Sequence, residues 1–332
     1  MSEMKEISAL DIGGILIGHE QNNDAGTGCT VVICPNGAVA GVDVRGGAPA
    51  TRETDLLDPV NMVDKIHAVV LSGGSAFGLD AASGVMKFLE ERDVGFDVAV
   101  AKVPIVCGAS LFDLTVGSAS VRPDAAMGYR ACENAWKNAP LEQGCVGVGT
   151  GASVGKLRGM ERAMKSGFGF YGLQIGSLKV ASIVAPNALG DIVNPSTGEA
   201  LAGLLDEDHK KILNTEDEMC VDYTNAENLF NKSHENTTIG VVITNGKMTK
   251  AQAKKVAGMA HNGFARALRP AHTMFDGDTI FALSAPDSND VSADVNVIGI
   301  LAARTMSRAI RNAALFARAT HGLPSHSSHS LI

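Results

Sequence analysis

Apolar and polar positions follow two periods along this chain. Short apolar runs bounded by turn residues predict strands at residues 67–71, 98–103, 178–185, 239–244 and 279–283. Residues 29–33 and 38–44 read as a hairpin around Pro35-Asn36-Gly37. Between the strands lie segments of helical period. Residues 76–91 carry Leu79, Ala82, Met86 and Leu89 on one face, and Thr249-Lys250-Ala251-Gln252 is a capping box opening a helix that must stop near Pro270. Residues 293–319 predict a long C-terminal helix, and the tail HGLPSHSSH is expected to be mobile. Residues 204–235 are charged and polar with little periodicity, as an exposed linker would be, and no internal repeat is visible.

Composition narrows the class. A chain of 332 residues holds one large α/β domain or two smaller ones, and 45% hydrophobic with only 5% aromatic residues suits tightly packed strands and helices. No stretch of 18 residues is both uncharged and predominantly apolar, so no membrane span is expected. A net charge of −8 with scattered Lys and Arg disfavours nucleic acid and favours a small-molecule substrate. The polar, acidic N-terminus has neither a basic nor an apolar leader region, and the six cysteines show no C-x-x-C spacing. The expectation is a cytoplasmic protein without disulfides, metal or cofactor. On that reading the acceptor patterns Asn231-Lys232-Ser233 and Asn236-Thr237-Thr238 are not glycosylation sites.

The last of those tripeptides is a junction between a polar stretch and a predicted strand. Asn-Thr before a strand is ordinary turn chemistry. Yet a cut between Asn236 and Thr237 would give Thr237 both a hydroxyl nucleophile and, in its own α-amine, a base. Upstream, Gly147-Val148-Gly149-Thr150-Gly151-Ala152-Ser153-Val154-Gly155-Lys156 fails as a Walker A loop at Thr150 and Leu157. Its glycines allow close backbone approach that would bring Lys156 into a packed pocket, where it would hold a proton or stabilise charge; the bland reading is a solvated lysine. Ser75, between a strand and a helix, misses the G-x-S-x-G pattern at Phe77 and reads better as a helix cap than as a nucleophile. Asn187, after Pro186 at a strand end, is either a turn residue or an oxyanion donor. Asp276 and Asp278 lie two apart before a strand and would point at one partner if the strand runs through them; otherwise they form a solvated turn.

These blocks together resemble one family, the DmpA-like aminopeptidases, which include β-aminopeptidases and nylon-oligomer hydrolases. The matching text is TGCTVVICPNGAVAGVDVRGGAPATRETDLLDP, HAVVLSGGSAFGLDAASGV, GVGTGASVGK, VAPNALGDIVNP, NTTIGVV and RPAHTMFDGDTIFAL, in that order, from Asp11 to about Leu315. The resemblance implies an α/β fold, a four-layer αββα sandwich, in a single hydrolase domain cut into residues 1–236 and 237–332 that stay together. It makes Thr237 the nucleophile, Asn236 the new C-terminus, Lys156 the active-site lysine, Asn187 the oxyanion-side asparagine, and Asp276 and Asp278 the acidic pair beside the nucleophile. It also implies a homotetramer of cleaved protomers. Where nylon-oligomer hydrolases carry an active-site Tyr, this chain has Phe112, which removes one donor near the substrate. The expected activity is hydrolysis of amide bonds in small peptides or amide oligomers. The alternatives are acyl transfer, as in ornithine acetyltransferases of the same fold, separable by supplying an amine acceptor, and an inactive binding protein, which an uncut purified chain would indicate.

Overall fold

The computed structural model describes residues 4–224, 236–285 and 291–329. Its ten-stranded sheet is built from β1 (Lys5–Ile7), β2 (Leu16–Asn22), β3 (Thr27–Val44), β4 (Thr51–Arg52), β5 (Lys65–Ser72), β6 (Val106–Ser110), β7 (Gly169–Ile175), β8 (Leu178–Ala185), β9 (Ile239–Thr244) and β10 (Thr279–Ser284). The strand order is β1-β7-β8-β9-β10-β3-β5-β6-β4, with β2 also paired to β3. The pairs β9/β10 and β5/β6 are parallel and the others antiparallel. The longer helices are α1 (Ala81–Glu90), α2 (Ala125–Trp136), α3 (Thr215–Thr224), α4 (Lys250–Ala267) and α5 (Val295–Leu315).

The period-2 alternation of the strands explains the layering. Along β3, Val31 and Ile33 pack with α1 and α2, whereas Val32 and Cys34 turn the other way into a central core. Along β9, Val241 and Ile243 enter that same central core from the opposite side, and Val242 faces α4 and α5. A strand whose two faces are both buried must be apolar on both. Three cores thus separate four layers in the order helices, sheet, sheet, helices, which is the αββα sandwich.

Strand β3 carries the sheet from one layer to the other. Its first half pairs with β2 and β5, and its second half, from Val39 to Val44, pairs with β10. The expected hairpin at Pro35-Asn36-Gly37 is therefore one continuous strand. Ile33 pairs with Ala68 and Ala38 with Ile66, so the residues between bulge out of the ladder, and Gly37 accommodates this at φ 71°. Turn chemistry is the same in a bulge as in a hairpin, and only the partner strand distinguishes them.

Other expectations met or missed for identifiable reasons. Strand β8 has the expected bounds, and the capping box of α4 is formed in both directions, Thr249 with Gln252. The 98–103 run is not a core strand. Lys102–Val103 pairs only with Phe96–Asp97 in an exposed ribbon, and the buried strand, β6, begins beyond Pro104. The C-terminal tail is docked rather than mobile: Lys165 N–H donates to Pro324 O at 2.7 Å, His326 Nδ1 meets Leu201 O at 2.9 Å, and Ser325 is fully buried. The supposed linker is structured over its described part, where Leu204 and Leu205 are buried and α3 is pinned by Arg158. Its remainder, residues 225–235, lies outside the described residues together with the Asn231 tripeptide. Ser75 does not cap a helix through its side chain; Gly74 holds the cap position, and Ser75 itself sits at φ 55°. No helix among the described residues is long and apolar enough to cross a membrane.

Candidate active site

The parallel pairing of β9 with β10 continues backwards past both strand starts. Asn236 bridges Asp276, its N–H donates to Phe275 O at 2.9 Å, and Thr279 N–H returns to Thr238 O at 3.0 Å. The Asn-Thr junction is therefore laid in register against the Phe275-Asp276-Gly277-Asp278 loop. Gly277 N–H donates to Asn236 O at 2.8 Å, and the Thr237 hydroxyl donates to that same oxygen. The Thr237 hydroxyl thus rests against the carbonyl that precedes it, and a main-chain donor already polarises that carbonyl. Gly277 is required at this contact because a Cβ there would lie 2.8 Å from Thr237 Oγ1 and 2.5 Å from Ala48 O.

Asn187, two residues beyond β8, supplies the neighbouring contact. Its carbonyl oxygen accepts Thr237 N–H at 3.0 Å and Lys156 Nζ at 3.0 Å, so one oxygen joins the lysine to the nitrogen of the proposed nucleophile. The glycine loop delivers the lysine as expected. Gly155 and Lys156 donate their N–H groups to Gly190 and Leu189, and Gly155, at φ 72°, passes so close to the Gly203 backbone that a Cβ would lie 2.0 Å from its carbonyl carbon.

Burial governs the electrostatics. Desolvation pulls the Lys156 ammonium down from 10.5 to about 7, against the opposing pull of Asp276 and Asp113. Asp276 is pushed up to about 6 by burial and then by the charge of Asp278; its hydrogen bonds with Thr273 and Leu189 and the nearby Lys156 act the other way. The acidic pair does not share a partner. Asp276 accepts from Leu189 N–H at 3.2 Å and from the Thr273 N–H and hydroxyl, whereas Asp278 accepts from Thr238 N–H at 2.8 Å and from His272. The two carboxylates thus anchor different segments around the junction, Asp276 the residue Leu189 and Asp278 the residue Thr238.

Two expectations change in detail. The Asn187 side chain does not reach the Asn236 carbonyl: its Nδ2 donates to Phe112 O at 2.8 Å and its Oδ1 accepts Ser153 N–H at 3.0 Å. The main-chain N–H of Gly277 is what meets the Asn236 carbonyl oxygen, and a backbone donor has no residue-type signature to find. Phe112 joins the site through its carbonyl, with its ring half-buried.

Three side chains that the sequence did not single out are also present. Asp113, buried and raised to about 6 by desolvation, accepts the Thr27 hydroxyl and Gly74 N–H, both at 2.7 Å. Lys165, lowered to about 8 by burial, donates to the carbonyls of Gly149, Ala152 and Ser166. His272 holds Asp278. Lys165 and Asp113 have no motif spacing between them. His272 does lie inside the RPAHT block, and its closeness to the acidic pair in sequence is the signal that could have found it.

Comparison with known proteins agrees with this architecture. The sequence profile of peptidase family S58 matches residues 8–328. An uncharacterized aminopeptidase of Mycobacterium leprae (strain TN) is 40% identical, covering 96% of this chain and 93% of its own. A 6-aminohexanoate-oligomer endohydrolase of Kocuria sp. (strain KY2) is 29% identical over 93% of this chain and 86% of its own. Among solved structures, the L-aminopeptidase D-Ala-esterase/amidase of Ochrobactrum anthropi, described as a variant of the Ntn hydrolase fold, superposes with a TM-score of 0.66 at 17% identity, covering 92% of this chain and 85% of that one. By the extent of the profile match and the full-length relatives, the chain belongs to peptidase family S58 and is a hydrolase of peptide or amide bonds.

Proposed function

We propose that this hydrolase cuts its own chain between Asn236 and Thr237 and then uses the freed Thr237 to hydrolyse amide bonds in small peptides or amide oligomers. The observation that carries the reading is the Thr237 hydroxyl lying against the Asn236 carbonyl while Gly277 N–H donates to its oxygen. In the first step the hydroxyl gives up its proton, Oγ attacks the Asn236 carbonyl carbon, and the oxyanion is stabilised by Gly277. The carbon–nitrogen bond then breaks, the Thr237 nitrogen takes a proton, and an ester joins Asn236 to Thr237 Oγ. Water hydrolyses that ester, leaving an Asn236 carboxylate and a Thr237 amine. Lys156, lowered to about 7, has a neutral fraction at neutral pH with which to accept the hydroxyl proton.

In the cut enzyme, a substrate carbonyl put where the Asn236 carbonyl now lies meets the same Gly277 donor, and the Thr237 amine joins Lys156 in moving protons. Two ammonium groups on one Asn187 carbonyl would repel, which favours a neutral amine as base. The substrate class is supported by the names of the aminopeptidase and 6-aminohexanoate-oligomer relatives. The tetramer expected from the family resemblance belongs to the same proposal.

Intact-mass spectrometry tests it. Wild-type protein should give residues 1–236 and 237–332 as separate masses, and Thr237→Ala a single uncut chain. Gly277→Ala, which crowds the hydroxyl and shifts the donor, should slow processing by about 100- to 1,000-fold. A cut at another bond, or a cut Thr237→Ala chain, would refute the reading.

A further inference from the structure

Asp278 is held more tightly than the acidic pair alone requires. One of its oxygens, Oδ1, accepts Thr238 N–H, the amide immediately after the proposed nucleophile, at 2.8 Å. The other, Oδ2, accepts two donors from a single residue: His272 N–H at 2.9 Å and His272 Nδ1 at 2.8 Å. Both nitrogens of His272 thus meet one carboxylate oxygen, with the backbone at φ 61°, a left-handed value that is uncommon outside glycine but that histidine adopts more readily than most residues.

The ring is fixed from behind as well. It packs edge-on to His261, with centroids 4.7 Å apart, and stacks on Phe264 at 5.8 Å with the planes 25° apart. Both partners lie on α4, and His261 is anchored in turn by Nε2 on the Asp43 carbonyl at 3.0 Å. Burial lowers His261 to about 4, so it meets the His272 ring as a neutral neighbour. An ionised carboxylate oxygen only accepts, so against Oδ2 of Asp278 the facing ring nitrogen is the one that carries hydrogen. The Nε2 atom of His272 is buried and finds no hydrogen-bond partner among the described residues. Such an arrangement suits a ring whose work is done through Nδ1 alone.

We propose that His272 is a positioning residue: through its Nδ1–H and main-chain N–H it orients the Asp278 carboxylate, which in turn fixes the Thr238 amide and so the direction of the Thr237 hydroxyl. The proposal rests on the reading of Thr237 as nucleophile. Placing the hydroxyl correctly is a matter of rate more than of affinity, since misplacement of a reacting atom by about 1 Å costs on the order of 100-fold.

The test compares two substitutions in the full chain. His272→Leu fills the space between His261 and Phe264 without a donor, and His272→Asn keeps an N–H close to the position of Nδ1. His272→Leu should slow both self-processing and turnover of a small amide by on the order of 100-fold with little change in KM, and His272→Asn should recover most of that loss. Equal loss in both variants, or a rise in KM without loss of kcat, would overturn the inference. A third measurement needs no substitution at His272: nitrogen-15 NMR of the folded, uncut Thr237→Ala chain should show His272 in the Nδ1–H tautomer, and an Nε2–H tautomer would overturn it. The underlying reading fails separately, because a Thr237→Ala chain that still cuts at Asn236 removes the nucleophile whatever His272 does. If Thr237→Ala stays whole while His272→Leu processes and turns over normally, only the positioning role falls.

Discussion

Lys156 Nζ is buried against a main-chain carbonyl, and its titration sets a pH dependence whose sign can be worked out. Its folded value, about 7, lies below its unfolded value of 10.5, so between the two the unfolded chain binds a proton that the folded chain does not. This group therefore adds stability as pH rises from about 7 to about 10.5. Asp276 works in the opposite sense lower down: its folded value of about 6 exceeds 3.8, so its contribution falls as pH rises from about 4 to about 6. If neutral Lys156 accepts the Thr237 proton, self-processing of freshly translated chain should quicken with pH and level off above about 8, and Lys156→Arg, which stays cationic, should not process. A rate independent of pH across that range would exclude the lysine as base. Thr237, Lys156, Asn236, Asp276 and Asp278 were legible in the sequence because their side chains sit in recognisable blocks, and the fold gathers all five around one peptide bond. Gly277 was invisible as a donor because its contribution is an N–H that every residue but proline possesses. Asn187 was found for its amide, yet it turns its carbonyl to the site.

At the scale of elements, periodicity located what is buried on a regular face and misjudged what is held by a few polar contacts. Strands β8, β9 and β10 and helix α4 were legible because their apolar positions are regular and their ends carry Pro186, Thr249 or Asp278. Helix α3 was not. It has an acidic first turn, Glu216, Asp217 and Glu218, and buries only Thr215 and Asp222. What fixes it lies far away in sequence: Asp191 accepts the N–H and hydroxyl of Thr215 at its start, and Arg158 pairs with Glu218 and with the buried Asp222 near its end. Arg158→Met should remove the ion pair to the buried Asp222 at a cost on the order of 2 kcal/mol. Hydrogen exchange should then speed up in residues 215–224 while β8 keeps its protection. Unchanged exchange in α3 would show that the Arg158 pairs are not what holds it.

For the whole molecule, the position of the junction matters more than its sequence. Strand β9 begins two residues after Thr237 and lies inside the sheet, paired with β8 on one side and β10 on the other. Strand β10 is paired in turn to β3, so a cut at Asn236 leaves the downstream piece stitched to the upstream piece along both sides of the sheet and through the α4 and α5 core. Residues 1–236 and 237–332 should therefore elute together under native conditions, at four times the protomer mass if the tetramer forms, and part only in denaturant. Light scattering that finds free small pieces would contradict the interleaving, and a single protomer mass would contradict the tetramer. The four layers were legible from the resemblance; that one bulged strand, β3, serves both sheets was not, because pairing partners are chosen in three dimensions.

The same interleaving gives the molecule a history. As one chain, β9 finds its place between β8 and β10 as an intramolecular event, favoured by the tether. After the cut proposed here that tether is gone, and any unfolding would separate two fragments whose reunion depends on concentration. Folding would be available once, before maturation, and endurance afterwards would be a question of how slowly the sheet opens. Such an enzyme would be better judged by its half-life than by a melting equilibrium.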